Sequence, residues 1–505
     1  MSLRRNTIAN YVGSGYLALI DVIAMPLYLK FLGAEAFGLV GFLVLLRVWL
    51  RLLDLGLSPT LARQVAYAKG LGQGFREFGH LLRSFEILFL GIAVAVAVTV
   101  YLASDSIAGG WMAAQAISDE TVAECVSLMG MIIALSFFSS LYRSGIRGME
   151  DQLWLNIANI LISTTRVAGA LVLLVFVSTD VLLFFQYQVA MALIGAAVFA
   201  LRFYSSLSLR PRELPLRIEL PVLRDVAPFA LSSAYTAAIW VVLSQSDKLI
   251  LSAILPLQEF GYFTLVIVIS GAILIIAAPI SQALLPRMTG LLAAGQRDSM
   301  LHIYRSASQL VAVIGVSTAL PLAFYSEALV YAWTGNRPAA AWCADVLPWF
   351  ALGNGIMVVS AFQRYLQHAF GNLKLQVIGS TVSAVLQVPI IFYAASRYGA
   401  VGAGIAWFAI RSVWFLIWTA VVHGKFVPGF HTSWLRQDLL PVIVPGILMS
   451  LLLVNIVEID LSMSRAGIAG SLILVGSAIL SAAAIGSSYI RSSVGEYVSK
   501  FRAAA

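Results

Sequence analysis

Fourteen long apolar runs, separated by short polar connectors, constrain this chain more than any other feature of its sequence. Each run is close to the roughly 20 residues that an α-helix needs to cross a bilayer. The runs are continuous, whereas barrel strands alternate polar and apolar residues in units of about ten. The sequence therefore predicts an all-α polytopic membrane protein of about 14 transmembrane helices. They lie at roughly 7–32, 37–57, 81–103, 122–143, 152–177, 181–201, 226–250, 259–285, 304–325, 345–366, 371–396, 401–422, 439–458 and 466–490.

The composition supports this prediction and excludes several other classes of protein. Of the 505 residues, 60% are hydrophobic and 11% are charged, against about 25% charged in soluble domains. The net charge of +8 is spread over short connectors, which is typical of loop charge bias and does not indicate nucleic-acid binding. Cys125 and Cys343 stand alone, and neither a metal-ligand spacing nor a phosphate-binding loop occurs. We therefore expect no metal, no cofactor and no enzymatic activity.

The distribution of lysine and arginine predicts the orientation of the chain. With a cytoplasmic N-terminus, 23 of the 32 basic residues fall on the inner side, five fall outside and four lie within spans. Basic residues are enriched in cytoplasmic loops of membrane proteins. We expect an even number of spans with both termini in the cytoplasm. The first apolar stretch contains Asp21, Pro26 and Lys30 and is interpreted as a retained span.

The two halves of the chain share a polar motif. Residues 32–38 read LGAEAFG, and residues 255–261 read LPLQEFG at nearly the same place in the second half. Six spans separate the copies, so both halves begin on the same side of the membrane. This indicates a parallel repeat about an axis along the membrane normal. The predicted organisation is an N-terminal lobe, a cytoplasmic linker, a C-terminal lobe and two appended spans, at 1–201, 202–225, 226–422 and 439–490.

Several short motifs resemble those of a known transporter family. They are PLYLKFLGAEAFG at 26–38, DLGL at 54–57 followed by Arg63, DKLIL at 247–251 and EFGY at 259–262. In these motifs, and in the number and spacing of its spans, the chain resembles the polysaccharide-transport family of the multidrug/oligosaccharidyl-lipid/polysaccharide (MOP) flippase superfamily. O-antigen and exopolysaccharide flippases belong to this family.

This resemblance implies a location, an activity and partners. The protein would sit in a bacterial inner membrane and move an undecaprenyl-pyrophosphate-linked oligosaccharide from the cytoplasmic to the periplasmic leaflet. Two six-helix lobes would surround a central cavity, with two C-terminal helices appended. Partners would be membrane lipids and the polymerase and glycosyltransferases of the same pathway. Alternatives are a lipid II flippase, a multidrug antiporter of the same superfamily, and an O-antigen ligase or polymerase, which would carry a large periplasmic loop.

Five ionisable residues lie deep within the predicted spans. At a rise of 1.5 Å per residue, Asp21, Arg47, Arg166 and Arg411 all fall roughly 15–17 Å from the outer boundary. Arg51 lies one turn closer to the cytoplasm, and Asp54 follows at the inner interface. Charges at this depth are costly and usually functional. They predict a cationic belt near the membrane midplane, suited to the phosphate groups of an anionic passenger.

Two interpretations of these charges remain open. In the functional one, Arg47, Arg51, Arg166 and Arg411 bind substrate, and Asp21 takes part in proton coupling. In the structural one, Arg47 pairs with Asp21 and Arg51 pairs with Asp54, while Arg166 and Arg411 have no evident partner. Asp247 and Lys248, near the outer end of span seven, are further candidates for coupling or an ion pair, although snorkelling is their ordinary explanation.

Overall fold

A computed structural model describes residues 3–54, 56–71, 76–112, 114–207 and 220–493. These residues are nearly all helical and no strand occurs among them, which confirms the all-α prediction. A 3-10 turn covers Arg51–Asp54 and a π-helical turn covers Leu435–Leu439. The α-helices are α1 (Leu3–Leu32), α2 (Ala34–Leu50), α3 (Leu57–Leu71), α4 (Arg76–Gly110), α5 (Asp119–Gly148), α6 (Gln152–Phe176), α7 (Val181–Leu207), α8 (Leu220–Ile254), α9 (Leu257–Ala293), α10 (Arg297–Phe324), α11 (Ser326–Thr334), α12 (Arg337–Ala369), α13 (Lys374–Phe426), α14 (Phe430–Trp434), α15 (Leu440–Ile456) and α16 (Arg465–Gly486).

Within the described ranges, thirteen helical segments are long and apolar enough to cross a membrane. One of them, α13, has 53 residues and contains a break at Gly399, where φ is 58° and ψ is −145°. An unbroken helix of that length would extend about 80 Å, far more than the ~30 Å hydrocarbon core of a bilayer. The segments on either side of Gly399 correspond to the predicted spans 371–396 and 401–422. The break explains how thirteen helices agree with about fourteen spans.

Several helices extend beyond their predicted spans. The helical path leading into α15 begins at Phe430, nine residues before the predicted span 439–458, and α12 begins at Arg337, before the predicted 345–366. A short helix, α11, lies between the predicted spans 304–325 and 345–366. Hydropathy detects only the apolar part of a helix, so polar turns at the membrane boundary go unrecognised. Half of the predicted linker 202–225, at 208–219, lies outside the described residues.

The chain divides into two compact units, Met1–Gly261 and Tyr262–Ala505. In the first unit, α4, α5 and α7 bury a core that includes Phe85, Phe89, Phe137, Leu141 and Phe203. The Phe89 and Phe137 rings stack with centroids 4.8 Å apart. Between helices in a bilayer, such packing stabilises the unit through van der Waals contacts and not through transfer of apolar surface from water.

The second unit has its own cores. Trp407 on α13 is buried against Phe350 on α12, with ring centroids 6.0 Å apart. A separate cluster joins α10 to α15 and α16 through Leu320, Leu453 and Val475. The two C-terminal helices therefore pack directly on α10 and belong to the second unit.

Both copies of the E-F-G motif meet within the first unit. A Cβ atom added at Gly38 would overlap the carbonyl oxygen of Leu257, and one at Gly261 would overlap that of Ala34. The missing side chains let the first turns of α2 and α9 approach closely, which accounts for the glycine in each copy. Two equivalent segments that touch reciprocally are what a two-fold-related pair would produce. The parallel repeat itself stays a prediction.

Candidate functional site

The centre of the candidate site is an ion pair between α1 and α6. Arg166 Nη2 lies 3.0 Å from Asp21 Oδ1, with 23% of the Arg166 side chain and 52% of the Asp21 side chain exposed. The structural interpretation, in which Asp21 pairs with Arg47 and Arg166 has no evident partner, is therefore wrong for Asp21 and Arg166. The physical reason is the packing of α1 along α6, which brings two residues at one depth into contact. Arg47 is half-buried near the end of α2.

Hydroxyl groups surround this ion pair. The three residues before Arg166 are Ser163, Thr164 and Thr165. Ser163 Oγ accepts a bond of 3.4 Å from Arg166 Nη2, and the Tyr16 hydroxyl lies 2.7 Å from Thr164 Oγ1. The Tyr187 hydroxyl donates to the Thr165 carbonyl oxygen at 2.7 Å. The sequence reasoning missed this polar face, although the run STTR inside an apolar span signals it.

Arg166 uses only part of its hydrogen-bonding capacity. Asp21 and Ser163 both accept from Nη2. A guanidinium carries five N–H donors in a planar fork. Nε and Nη1 have no acceptor among the described residues. The pair is thus monodentate, and one edge of the guanidinium is left for a further anion.

In the second unit, Arg411 lies over an aromatic ring. Its Cζ atom is 4.1 Å from the centroid of Trp407, one turn earlier on α13. A cation over the face of an indole is attracted by the ring quadrupole. Trp407 is itself held against Gly353, where a side chain would collide with the indole. This packing fixes the ring and limits the directions that the half-buried Arg411 can take.

The remaining candidates are Arg51 and Asp54 just after the end of α2, and Asp247 and Lys248 on α8. The side chain of Arg51 lies outside the described part of the chain. Asp54 accepts hydrogen bonds from Ser58, at 3.3 Å from the backbone nitrogen and 2.5 Å from Oγ, and so binds the first turn of α3. Asp247 is 1% exposed, and its Oδ1 is 3.9 Å from Lys248 Nζ. Lys248 also donates to the Ser244 carbonyl at 2.5 Å, which folds it back along α8.

A second buried carboxylate was missed by the sequence reasoning. Glu86 on α4 accepts hydrogen bonds at Oε1 from the hydroxyls of Tyr142 (3.0 Å) and Tyr204 (2.5 Å). Its Oε2 is 2.7 Å from Nη1 of Arg83. These contacts tie α4 to α5 and α7. The signal was Glu86 inside the predicted span 81–103, with Arg83 three residues before it on the same face.

No metal centre is found in the part of the chain that the structure describes, where no three His, Cys, Asp or Glu side chains are grouped suitably. Cys125 and Cys343 are both buried free thiols.

The sequence of residues 3–292 matches the family model described as polysaccharide biosynthesis protein. The chain belongs to that family. A search of curated proteins gave no match.

Solved structures similar to this family member are transporters. The lipid II flippase MurJ in an inward closed conformation matches with a TM-score of 0.70 at 13% identity, over 94% of this chain and 96% of that one. An inward-facing multidrug resistance MATE family transporter matches with a TM-score of 0.65 at 15% identity, over 81% and 95%. A MOP superfamily transporter from Pyrococcus furiosus matches with a TM-score of 0.53 at 16% identity, over 83% and 95%. The fold and the family together place the chain in the MOP flippase superfamily.

Proposed function

We propose that this protein is a flippase that translocates an undecaprenyl-pyrophosphate-linked oligosaccharide from the cytoplasmic to the periplasmic leaflet for surface polysaccharide biosynthesis. It would work by alternating access in a bacterial inner membrane, with both termini in the cytoplasm. The observation that carries the proposal, beside the family, is the Asp21–Arg166 pair with its open guanidinium edge.

The exposure of this ion pair supports a hydrated path. A charge in contact with lipid near the bilayer centre costs about 2.5–3.5 kcal/mol or more. Asp21 is half exposed at the predicted midplane depth. Exposure at that depth is tolerable when the group faces water. Asp21 and Arg166 would therefore line a water-filled path through the protein, together with the hydroxyls beside them.

Arg166 is suited to the phosphate groups of the proposed substrate. Its open N–H donors can form paired bonds with phosphate oxygens, a geometry that arginine offers and lysine does not. The neighbouring Tyr16 and Tyr187 offer hydroxyls to the sugar. Arg47, Arg51 and Arg411 are proposed as further cations for the same passenger, and the Trp407 ring gives Arg411 a fixed platform.

The charge of the passenger gives the transport a direction. When the cytoplasm is negative, moving one negative charge outward is favourable by about 2.3 kcal/mol per 100 mV. A pyrophosphate group would therefore be driven outward in part by the membrane potential. In this scheme Asp21 pairs with Arg166 when substrate is absent, and the pyrophosphate replaces Asp21 when it binds. The guanidinium therefore has a negative partner in both states.

A lipid II flippase is the second candidate. Its support is the fold match to MurJ, which covers 94% of this chain. The passengers of the two candidates share the pyrophosphate that Arg166 would bind. A multidrug antiporter has less support, because export of cations calls for acidic groups and the candidate residues are mostly arginines.

A genetic experiment distinguishes these candidates. Disruption of the gene is expected to abolish the surface polysaccharide and to leave its lipid-linked precursor in the cytoplasmic leaflet, and a plasmid copy should restore export. Rescue of cells depleted of their lipid II flippase would favour the second candidate. Changed drug susceptibility with normal polysaccharide export would refute the proposal.

A further inference from the structure

A chain of three hydrogen-bonded side chains lies in the second unit, where α13 ends and α14 begins. The Tyr304 hydroxyl is 2.7 Å from His423 Nε2. The other ring nitrogen of His423, Nδ1, is 3.1 Å from Nδ1 of His431. His423 and His431 stand on either side of a turn at Gly429, where φ is 79°. The two hydrogen bonds therefore hold both sides of this corner to α10, which carries Tyr304.

The surroundings of this chain are apolar on most sides. Tyr304 and His423 are fully buried, and His431 is half-buried. Phe362, Phe430 and Trp434 pack against the Tyr304 ring. The proposed transport mechanism uses none of these groups.

The charged groups that contact this corner come from α10 and the π-helical turn, and each is paired with an opposite charge or with the backbone, while Lys425 near the end of α13 is exposed. Arg305 on α10 lies over the Phe430 ring and is 3.5 Å from Asp438 of the π-helical turn. Arg297, also on α10, donates to the carbonyl oxygen of Phe426 at 2.7 Å. The residue of α12 that packs against Tyr304 is the uncharged Phe362. The titratable residue of α14 is His431 itself. An unperturbed imidazole changes its charge between pH 5 and pH 8, so the two histidines are the groups at this corner that titrate in that range once the corner opens.

The short contact between two ring nitrogens fixes where hydrogens lie. A hydrogen bond between the Nδ1 atoms requires one of them to carry a hydrogen and the other to accept it. One neutral arrangement satisfies all three residues: Tyr304 donates to His423 Nε2, and His423 Nδ1–H donates to His431 Nδ1. These tautomers follow from the hydrogen-bond network. The closed arrangement accommodates two neutral imidazoles.

An added proton disrupts this arrangement wherever it binds. A proton on His431 Nδ1 forces His423 to accept there and to carry its own hydrogen on Nε2, facing Tyr304. A proton on His423 places the same hydrogen on Nε2. Tyr304 must then become the acceptor, and its hydroxyl hydrogen loses its partner. Tyr304 has no other hydrogen-bond partner among the described residues, and a buried donor without an acceptor is costly.

We propose that Tyr304, His423 and His431 form a proton-sensitive latch, which holds the corner between α13 and α14 closed only while both imidazoles are neutral. The latch uses none of the residues assigned to the substrate path and does not rest on the proposed function. Its closed form binds no extra proton and its open form binds up to two. Acidification therefore favours the open form, and rising pH favours closure.

Hydrogen–deuterium exchange of residues 424–434 tests this latch in the full-length protein in lipid nanodiscs. Rates are compared at pH 7.5 and pH 5.5 after correction for intrinsic chemical exchange. If one imidazole has its ordinary pKa of about 6.5 in the open form, the change from pH 7.5 to pH 5.5 raises the opening constant about tenfold. If two imidazoles do so, the opening constant rises about a hundredfold. We expect about a hundredfold for the wild type and about tenfold for His431→Asn, which keeps an acceptor for His423 Nδ1–H.

His302→Asn is the matched control, because His302 is an exposed histidine on α10. This variant should keep the hundredfold response. A corrected wild-type rate that changes less than about twofold over this interval would overturn the latch, and so would an unchanged response in His431→Asn. If His431→Asn does not fold, the wild-type pH series alone decides, since it needs no variant.

Discussion

Replacement of Arg166 by alanine is expected to reduce glycan export by about ten- to a hundredfold. A hydrogen bond to a charged group contributes about 1.5–3 kcal/mol, and each 1.4 kcal/mol corresponds to a factor of ten. The substitution removes the donors that would bind the pyrophosphate and leaves the half-exposed Asp21 without its partner. Export is measured as surface polysaccharide relative to the amount of protein in the membrane. Arg166→Lys should restore export only in part, because it keeps the charge and loses the planar fork.

A double variant separates binding from structural pairing. If Asp21 and Arg166 form only a structural pair, Asp21→Ala/Arg166→Ala should recover both abundance and export, since neither charge is then stranded. Our account predicts recovery of abundance without recovery of export. Arg397→Ala, an exposed arginine at the outer turn of α13, is the matched control and should export normally. Normal export by a well-expressed Arg166→Ala protein would rule out the role of Arg166 in the substrate path.

Replacement of Glu86 by alanine is expected to give the largest loss of stability. Removal of one partner from a buried ion pair typically costs about 3–5 kcal/mol. Here the loss would leave Arg83 and the hydroxyls of Tyr142 and Tyr204 without their shared acceptor, at the junction of α4, α5 and α7. We expect a strong decrease in membrane abundance and in the melting temperature of the detergent-purified protein.

Glu86→Gln should be milder, because an amide oxygen still accepts from the tyrosines while the ion pair is lost. Glu124→Gln, on the exposed face of α5, is the matched control and should leave stability within about 0.5 kcal/mol. A Glu86→Ala protein with wild-type abundance and melting temperature would contradict the structural role of this carboxylate.

The sequence predicted the membrane spans well because a bilayer imposes one length on every crossing helix. Its errors lie where helices continue past the apolar core. The path from Phe430 through the π-helical turn is helical but too polar to be recognised as a span. The break at Gly399 was predicted correctly, since Arg397 and the glycine after it interrupt an apolar run too long for one crossing.

The common level of Asp21 and Arg166 could be predicted, and their pairing could not. Counting residues placed Asp21, Arg47 and Arg166 at one level, and the direct contact of Asp21 with Arg166 agrees with that. Which of two arginines meets Asp21 depends on which helix packs beside α1 and how each helix is rotated. Sequence distance favoured Arg47 on the next helix, whereas packing brings α6 and Arg166 to Asp21.

The hydroxyl residues beside Arg166, and Glu86, could not be recognised from the sequence for a different reason. Serine, threonine and tyrosine occur in many spans, so the hydroxyls beside Arg166 gain meaning only once they converge on it. Glu86 lies near the inner end of its span, where an acid with a nearby arginine looks like a boundary residue. Its burial depends on Tyr142 and Tyr204, which come from distant parts of the chain.

The most direct test of the central claim is translocation of the lipid-linked oligosaccharide in proteoliposomes under a controlled membrane potential. Purified wild-type protein should translocate the pyrophosphate-linked lipid, and faster when the destination side is positive. A matched lipid without charge on its linkage should gain nothing from the potential. The Arg166→Ala and Arg411→Ala proteins should translocate this lipid much more slowly, and their rates should depend little on the membrane potential. Translocation that is equally fast for the uncharged lipid, for both variants and at every potential would contradict a cationic path for an anionic passenger.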